Sequence, residues 1–251
     1  MAESESSIKK AVTVIHSAFT IAWLTFSTCM SGIMVIVFSL FNNRLIYWVA
    51  KFWAANLLFS AGIRVRTYGL DKLQKGEQYV FVANHQSVYD IPALYFTLPF
   101  RISFLTKKEL YSIPFFGRVL YSSGNICIDR SNARKARESI TSAVKRLKSQ
   151  KASLVLFPEG TRSPDGKIGV FKSASFALAL EARIKVVPIY ISGSFQILRK
   201  NSLLVRPGTI LCKIADPIEI SNMRDITKSQ LSERTRTVLV EMQEKRTHSN
   251  L

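Results

Sequence analysis

The chain has 251 residues, enough for one sizeable hydrophobic core and an appendage. Apolar residues make up 47% of it, its mean hydropathy is +0.13 and its formal charge at pH 7 is +18. A chain that is both basic and apolar favours two kinds of partner, nucleic acid or an anionic membrane. Three widely spaced cysteines argue against a disulfide framework or a zinc site. The glycine-rich loops that bind dinucleotides or nucleoside triphosphates are absent from the sequence.

The first 63 residues differ in character from the rest of the chain. Residues 11–41 contain no Asp, Glu, Lys or Arg, and as a helix they would extend about 46 Å, long enough to cross a bilayer. A stretch this long without a small-residue cleavage site argues against a signal peptide. Nearly all the positive charge follows residue 63, which favours a membrane over nucleic acid as the partner. We therefore predict membrane-anchoring helices over residues 1–63 and a globular domain over residues 64–251.

A second apolar stretch, residues 45–62, is rich in Trp and Phe, which suits the headgroup level of a membrane. Two topologies stay open, a first helix that spans the bilayer or a hairpin of two helices that dips into one leaflet. Lys9 and Lys10 before the stretches and Arg64 after them favour the hairpin, because it keeps both ends cytoplasmic. Arg44 at the tip weighs against deep insertion. A buried helix pair within a soluble fold is a third, less favoured alternative.

From residue 64 onward, segments with strand character alternate with segments of helix character. We predict strands at 79–83, 101–106, 125–128, 153–157, 186–192 and 209–214, and helices at 91–98, 113–122, 133–150, 172–183 and 226–245. This alternation predicts an α/β fold with a mostly parallel central sheet flanked by helices. Ligands of such sheets bind outside the carboxyl ends of the strands.

The segment Asn84-His85-Gln86-Ser87-Val88-Tyr89-Asp90 follows the first predicted strand. A carboxylate near His85 would hold one ring nitrogen and leave the other free to take a proton. Residues five apart on a helix point about 140° away from each other, so this pairing requires a strand–loop–helix corner. No serine or cysteine stands in a recognisable nucleophile elbow, so we expect the histidine to act directly on a substrate hydroxyl. In the alternative interpretation, Asp90 is a helix N-cap and His85 a loop residue.

The segment Phe157-Pro158-Glu159-Gly160-Thr161-Arg162-Ser163 follows the predicted strand 153–157. Proline ends the strand pairing, and Gly160 permits a tight turn and close approach of a ligand. Arg162 presents a planar donor fork that suits phosphate. Glu159 could accept a hydrogen bond from a substrate hydroxyl or hold the arginine in place. Taken alone, this segment also fits an ordinary surface turn with a local Glu–Arg pair.

Further basic residues follow two other predicted strands. Arg130 comes after the strand at 125–128 and is a candidate second phosphate ligand, although Asp129 could neutralise it. Lys107 and Lys108 add positive charge after the strand at 101–106. The basic run at 134–137 lies on a predicted helix, where it suits a solvated face or contact with lipid headgroups.

Together these segments resemble the glycerolipid acyltransferases, most closely the bacterial 1-acylglycerol-3-phosphate acyltransferases. The family's NHxxxxD block matches residues 84–90, and its FPEGTRS block matches residues 157–163 at every position. A family block that ends in arginine matches residues 124–130, and an apolar strand with a proline resembles residues 186–190. The resemblance extends from about residue 64 to about residue 220.

The resemblance implies an O-acyltransferase of phospholipid biosynthesis. His85 would be the general base, oriented by Asp90, and would deprotonate the sn-2 hydroxyl of lysophosphatidic acid. That oxygen would attack the thioester of acyl-CoA or acyl-carrier protein directly and give phosphatidic acid. An acceptor that is a different lyso-lipid, such as lyso-ornithine lipid or lysophosphatidylglycerol, is the main alternative. A non-catalytic protein that binds membranes or nucleic acid is a weaker one.

The resemblance also implies an acceptor-phosphate site on the two basic blocks. Its expected members are Arg130, Arg162, Glu159, Gly160, Thr161 and Lys107. We expect no metal and no cofactor beyond the acyl donor, no nucleic acid partner, and a catalytic domain on the cytoplasmic face of the cell membrane. The chain departs from the family's FKxG sequence at Phe171-Lys172-Ser173-Ala174, where alanine should disfavour a positive φ and narrow the acceptor pocket.

Overall fold

The computed structural model describes residues 2–41, 43–106, 108–128, 133–220, 223 and 225–248. Seven strands in these residues form one sheet. They are β1 (Ile63–Tyr68), β2 (Val80–Ala83), β3 (Ile102–Thr106), β4 (Ile126–Cys127), β5 (Ser153–Leu156), β6 (Val186–Ser192) and β7 (Gly208–Ile214). Their order in the sheet is β1-β7-β6-β2-β5-β3-β4. All neighbours pair in parallel except β6 and β7, which are antiparallel.

Helices cover both faces of this sheet, which confirms the predicted α/β fold with a mostly parallel sheet. They are α1 (Ala2–Phe41), α2 (Asn43–Ser60), α3 (Asp90–Thr97), α4 (Phe116–Ser122), α5 (Ala133–Gln150), α6 (Ala177–Ala182), α7 (Ser194–Ile197) and α8 (Lys228–His248). Short 3₁₀ turns lie at Leu70–Lys72, Lys108–Ser112 and Ser173–Phe176.

The central strands are apolar on both sides because each faces a separate hydrophobic cluster. On β2, Phe81 and Ala83 point into the cluster shared with α2 and α3, whereas Val80 and Val82 point into the cluster shared with α5, α6 and α8. Every residue of β2, β5 and β6 is buried. Continuous apolar runs of this kind are typical of parallel strands covered on both faces. The carboxyl ends of β2 and β5 are therefore held rigidly side by side.

The two N-terminal helices form an antiparallel pair that packs against the globular domain. Trp23 Nε1 donates to Asn56 Oδ1 at 2.6 Å, and Trp53 Nε1 donates to Thr28 Oγ1 at 3.1 Å. The stretch Lys10–Phe41 is long and apolar enough to cross a membrane. Its most apolar 18-residue window has a mean hydropathy of 2.0, and 17% of that window is buried. Its outward face carries an apolar stripe that consists of Val12, Ile15, Phe19, Phe26, Met30, Ile33, Val37 and Leu40.

The second helix has a more divided environment than the sequence indicates. Trp48 and Phe52 are exposed, as expected for an interfacial helix, but Ala54 and Leu58 are buried in the core of the globular domain. The division of the chain at residue 63 stays a prediction, since α2 is structurally continuous with the domain core.

Two predicted helices are wrong in their first turns. The helix predicted at 113–122 begins only at Phe116, because Phe115 has a φ of +64° that a helix cannot accommodate. The helix predicted at 172–183 is a 3₁₀ turn over Ser173–Phe176 followed by the short α6. By contrast, α8 begins where Thr227 Oγ1 accepts from Gln230 N at 3.2 Å and Gln230 Oε1 accepts from Thr227 N at 2.9 Å, a reciprocal cap.

Candidate active site

The histidine and FPEGTRS segments meet because the strands that precede them are neighbours. β2 and β5 pair in parallel, with Val82 opposite Leu156, so both chains leave the sheet at the same edge. His85 follows β2 by two residues and Glu159 follows β5 by three. Ser163 N donates to His85 O at 2.7 Å, which closes the second segment onto the first. The predicted position of the site at the carboxyl ends of the strands agrees with this arrangement.

His85 and Asp90 form a hydrogen-bonded pair. The distance from His85 Nδ1 to Asp90 Oδ2 is 2.8 Å, and the carboxylate is fully buried whereas 16% of the imidazole side chain is exposed. A carboxylate acceptor favours the tautomer that carries its proton on Nδ1, so the lone pair of Nε2 is free to accept a proton. This pairing is the arrangement expected of a general base and its orienting carboxylate.

The same carboxylate oxygen also shapes the corner between β2 and α3. Asp90 Oδ2 accepts from Gln86 N at 2.6 Å and from Ser87 N at 2.8 Å. Asp90 is the first residue of α3, so one side chain both turns the loop back and holds the imidazole. The strand–loop–helix corner that the five-residue spacing requires is thus present. The N-cap alternative for Asp90 is wrong in detail, because Tyr89 occupies the cap and the carboxylate bonds to the preceding loop.

The imidazole plane is set by an aromatic ring rather than by hydrogen bonds alone. His85 stacks on Phe157 with ring centroids 4.1 Å apart and an interplanar angle of 17°. Phe157 in turn stacks on Phe104 from β3 at 6.0 Å. This role of Phe157 was not predicted, although its position directly before Pro158 at the end of a buried strand is a signal in the sequence.

Two further side chains fix the loop that carries His85, one to β6 on the other side of β2 and one to the residue after α7. Asn84 Nδ2 donates to Ile191 O at 2.8 Å and Asn84 Oδ1 accepts from Ile191 N at 2.7 Å, so its amide extends the pairing with β6. Ser87 Oγ donates to Leu198 O at 2.9 Å. Sequence reasoning noted neither role, because both depend on the strand order and not on local spacing.

Glu159 bonds to the backbone of the loop that carries His85 and does not form an ion pair with Arg162. Its Oε1 accepts from His85 N at 3.3 Å, and the residue is only 8% exposed. The salt bridges between described residues do not include a Glu159–Arg162 pair. The pKa of Glu159 is raised to about 7, mainly by burial and also by the negative charge of Asp90, while backbone N–H donors from His85 and Gly169 act in the opposite direction.

The raised pKa of Glu159 predicts how stability depends on pH. Between about pH 4.5 and pH 7 the folded chain holds a proton on Glu159 that the unfolded chain has lost, so the free energy of unfolding falls as pH rises through this window. In the wild type this fall should amount to at most about 3 kcal/mol between pH 5 and pH 8. Glu159→Gln mimics the protonated form, so the variant should not show the fall. Urea unfolding of both proteins in detergent at the two pH values measures it. An unchanged pH dependence in the variant would contradict the buried-acid assignment.

The other predicted acceptor-site residues divide into two groups. Gly160 has a φ of +72° at the tip of the turn, Thr161 is exposed and Arg162 is half-buried, so all three are available at the mouth of the site. Lys107 and Arg130 lie outside the described residues. Among the described residues, no three His, Cys, Asp or Glu side chains come together in a way that would hold a metal ion.

The departure from FKxG agrees with the backbone conformation that the sequence predicts. Ala174 lies in the 3₁₀ turn Ser173–Phe176 and is not among the residues with a positive φ. Its side chain is exposed. The narrowing of the acceptor pocket stays a prediction.

Comparison with known proteins adds an independent line of evidence. The family model described as "Acyltransferase" matches residues 64–192, just over half of the chain. A 1-acyl-sn-glycerol-3-phosphate acyltransferase of Saccharomyces cerevisiae is 30% identical over 203 residues, 80% of this chain and 67% of that protein. The Haemophilus influenzae protein of the same name is 28% identical over 79% of this chain and 83% of its own length. For a Cocos nucifera relative, 35% identical, the chain spans only 47% of the relative.

The fold is also similar to that of a solved structure. The crystal structure of the 1-acyl-sn-glycerophosphate (LPA) acyltransferase PlsC from Thermotoga maritima superposes with a TM-score of 0.79 at 22% identity, over 95% of this chain and 97% of that one. This likeness supports the fold, including the N-terminal helices. Together, the paired His85 and Asp90, the adjacent FPEGTRS turn and the family match over residues 64–192 show that the chain belongs to the acyltransferase family.

Proposed function

We propose that the protein transfers a fatty acyl group from acyl-CoA or acyl-carrier protein to the sn-2 hydroxyl of 1-acylglycerol-3-phosphate, forming phosphatidic acid. The observation that carries this proposal is the 2.8 Å His85–Asp90 pair next to the FPEGTRS turn. The names of the relatives in Saccharomyces and Haemophilus support the choice of acceptor. No metal or cofactor takes part, and the acyl donor is a co-substrate.

In the proposed mechanism His85 Nε2 removes the proton from the acceptor hydroxyl. The hydroxyl oxygen attacks the thioester carbonyl carbon, and the tetrahedral intermediate then collapses with cleavage of the carbon–sulfur bond. The departing thiolate takes the proton back from the imidazolium, which leaves the enzyme unchanged. Asp90 stabilises the imidazolium while it exists, at an Oδ2 that is already 2.8 Å from Nδ1. A positioned base of this kind contributes about 10²–10⁴-fold in rate.

The acceptor phosphate binds at the FPEGTRS turn. Arg162 supplies a donor fork, and Gly160 and Thr161 form the tip over which the phosphate lies. Arg130 and Lys107 remain proposed contributors, on the family resemblance alone. The buried position of Glu159 supports a positioning role, since its carboxylate holds the His85 backbone from below.

We infer that the N-terminal helices form a hairpin in one leaflet and hold this site at the lipid surface. Ser17 Oγ accepts from Val205 N at 2.9 Å, and a Cβ on Gly32 would lie 2.9 Å from atoms of Phe115 and Val119, so α1 touches the globular domain at both positions. These contacts are about 22 Å apart along the helix. A spanning helix needs about 20 residues in lipid. Because α1 is attached to the globular domain at two positions along its length, we infer that it lies along the membrane surface with its apolar stripe in the lipid.

The hairpin topology is tested in proteoliposomes with protease-cleavable tags. One tag precedes residue 1, and the other is inserted in the exposed turn at Gly76. A Cβ added at Gly76 would meet no atom within 4 Å, so the turn has room for an insertion. We expect protease to remove both tags or neither in vesicles of one orientation, because the hairpin keeps both on one side. Protection of one tag alone would establish a spanning α1 and contradict this part of the proposal.

The activity itself is tested with purified protein in mixed micelles. Palmitoyl-CoA is offered with lysophosphatidic acid, lysophosphatidylglycerol or lyso-ornithine lipid, and products are identified by mass spectrometry. We expect phosphatidic acid to form at least tenfold faster than any other product. A preference for an acceptor without a phosphomonoester would contradict the proposed substrate, and failure to release thiol with every acceptor would contradict the proposed reaction.

A further inference from the structure

Two cationic side chains from outside the FPEGTRS segment reach the tip of its turn, which itself contains Arg162. Lys200 Nζ donates to Thr161 Oγ1 at 3.0 Å. A Cβ on Gly160 would lie 3.0 Å from Lys172 Nζ, so the absence of a side chain at Gly160 leaves room for this ammonium. Arg162 is the next residue but one in the turn. Lys172, Gly160, Thr161 and Lys200 thus form one cluster with Arg162, which we call the cationic cup.

The positive charge of the cationic cup is not neutralised by neighbouring carboxylates. The ion pairs between described residues include none with Arg162, Lys172 or Lys200. The two acidic residues nearest in sequence point elsewhere: Glu159 accepts from the His85 backbone, and Asp165 accepts from Ser163 Oγ and from Lys167 N, each at 3.0 Å. Three cations around one turn without acidic partners favour an anion of high charge density.

The segment that carries Lys200 connects the cationic cup to the loop that carries His85 and to α1. Leu198 O accepts from Ser87 Oγ at 2.9 Å, and Val205 N donates to Ser17 Oγ of α1 at 2.9 Å. Between these anchors, Leu203 is 73% exposed and Leu204 is 40% exposed. This segment, residues 198–205, therefore presents apolar side chains near α1 and a lysine beside the FPEGTRS turn. It lies beyond the residues that the family model matches.

Lys172 is attached to the same turn through its backbone. Lys172 N donates to Pro158 O at 2.9 Å, which fixes the base of the side chain next to the FPEGTRS turn. Its ammonium lies beside Gly160. The approach of Lys172 depends on the glycine, since the space that a Cβ would occupy at this positive φ is the space beside its Nζ.

We propose that Lys200 and Lys172 make the acceptor site selective for a phosphomonoester over a phosphodiester. This inference rests on the proposed function. A phosphomonoester carries a charge of about −1.5 to −2 at pH 7 and has three non-esterified oxygens. A phosphodiester carries only one negative charge and has one non-esterified oxygen fewer. Three cations around one turn match the more highly charged group. Residues 198–205 would meet the acceptor as it leaves the membrane, with the phosphate on Lys200 and the acyl chain beside Leu203.

The test compares binding and turnover in the full-length protein. Lys200→Gln and Lys172→Gln remove one charge each, Lys200→Arg restores it, and Lys148→Gln removes an exposed lysine of α5 as a matched control. Calorimetry with water-soluble 1-hexanoyl-glycerol-3-phosphate measures affinity, and thiol release with lysophosphatidic acid measures KM and kcat. The corresponding lysophosphatidylglycerol is the phosphodiester probe.

We expect each Gln variant of the cationic cup to bind the phosphomonoester about tenfold more weakly. This factor is the lower end of the range expected when a charge-assisted hydrogen bond is lost. KM should rise to match, kcat should stay within about twofold, and affinity for the phosphodiester should not change. Lys200→Arg should recover most of the affinity, and Lys148→Gln should behave as wild type. Equal weakening toward both probes, or no weakening, would overturn the proposal. Binding of the phosphomonoester without turnover in the wild type would instead refute the proposed function and leave the cup intact.

Discussion

Replacing His85 with alanine is expected to lower kcat by about 10³-fold while the protein stays folded. The reaction requires a base at the acceptor hydroxyl, and the imidazole has the partner and exposure to serve as one. The fold should tolerate the change because the side chain contributes one hydrogen bond and one ring stack at the edge of the sheet. The measurement is steady-state thiol release from palmitoyl-CoA with lysophosphatidic acid, with thermal unfolding in the same detergent as the control for folding.

Added imidazole should restore part of the activity of the His85→Ala variant, since the vacated space between Asp90 and Phe157 matches that ring. Rescue would show that the loss is chemical rather than structural. A variant that keeps more than a tenth of the wild-type kcat would rule out His85 as the general base.

Asp90→Ala is expected to destabilise the protein as well as inactivate it. Three donors converge on Asp90 Oδ2, and two of them are backbone N–H groups in the buried loop. Leaving such donors without partners costs about 1–3 kcal/mol each, so a loss of about 2–4 kcal/mol is expected. The lower part of the range applies because Asp90 Oδ1 is buried without a hydrogen-bond partner, and its removal relieves a cost. Denaturant unfolding measures the free energy.

Asp90→Asn separates the two roles of this side chain. An amide oxygen placed where Oδ2 lies would keep the backbone bonds, and the amide nitrogen would take the place of the partnerless Oδ1. We therefore expect stability within about 1.5 kcal/mol of wild type, the net value of one hydrogen bond, but kcat lower by about 10²-fold because the imidazolium loses its counter-charge. An Asn variant with full activity would show that the charge of Asp90 has no part in the reaction.

The catalytic pair was predictable because its signal is local. A strand, a histidine and an aspartate just before Ile91-Pro92 define a corner within a few residues, and the observed bonds follow that corner. The environment of Glu159 was not predictable in the same way. Its hydrogen bond to His85 requires β5 to lie next to β2, and strand order depends on packing of the whole sheet.

Apolar composition does not distinguish a segment that contacts lipid from one that is buried in the protein core, because both environments favour the same residues. Residues 45–62 have the aromatic content of an interfacial helix, yet Ala54 and Leu58 of α2 are buried against the sheet. The strand β1 was missed for a related reason, since Arg64 was interpreted as a charge that flanks a membrane helix. In the fold Arg64 and Arg66 are alternate residues of β1, an edge strand, and the residues that precede them, Ile63 and Val65, contact the core.

Cations distant in sequence were also invisible as a group. Lys172 and Lys200 follow different strands, and only the return of residues 198–205 toward the FPEGTRS turn brings Lys200 to Thr161. Arg162, by contrast, was identified from its own motif. The part of the site that local motifs encode could be predicted, and the part that depends on loop packing could not.

Direct acyl transfer is tested most sharply by rapid mixing of the enzyme with acyl-CoA in the absence of acceptor, followed by addition of lysophosphatidic acid. If His85 activates the acceptor hydroxyl for attack on the thioester, free CoA should appear only after the acceptor is added, with one phosphatidic acid formed per CoA released. A stoichiometric release of CoA before the acceptor is present, with the acyl group retained on the protein, would contradict this mechanism.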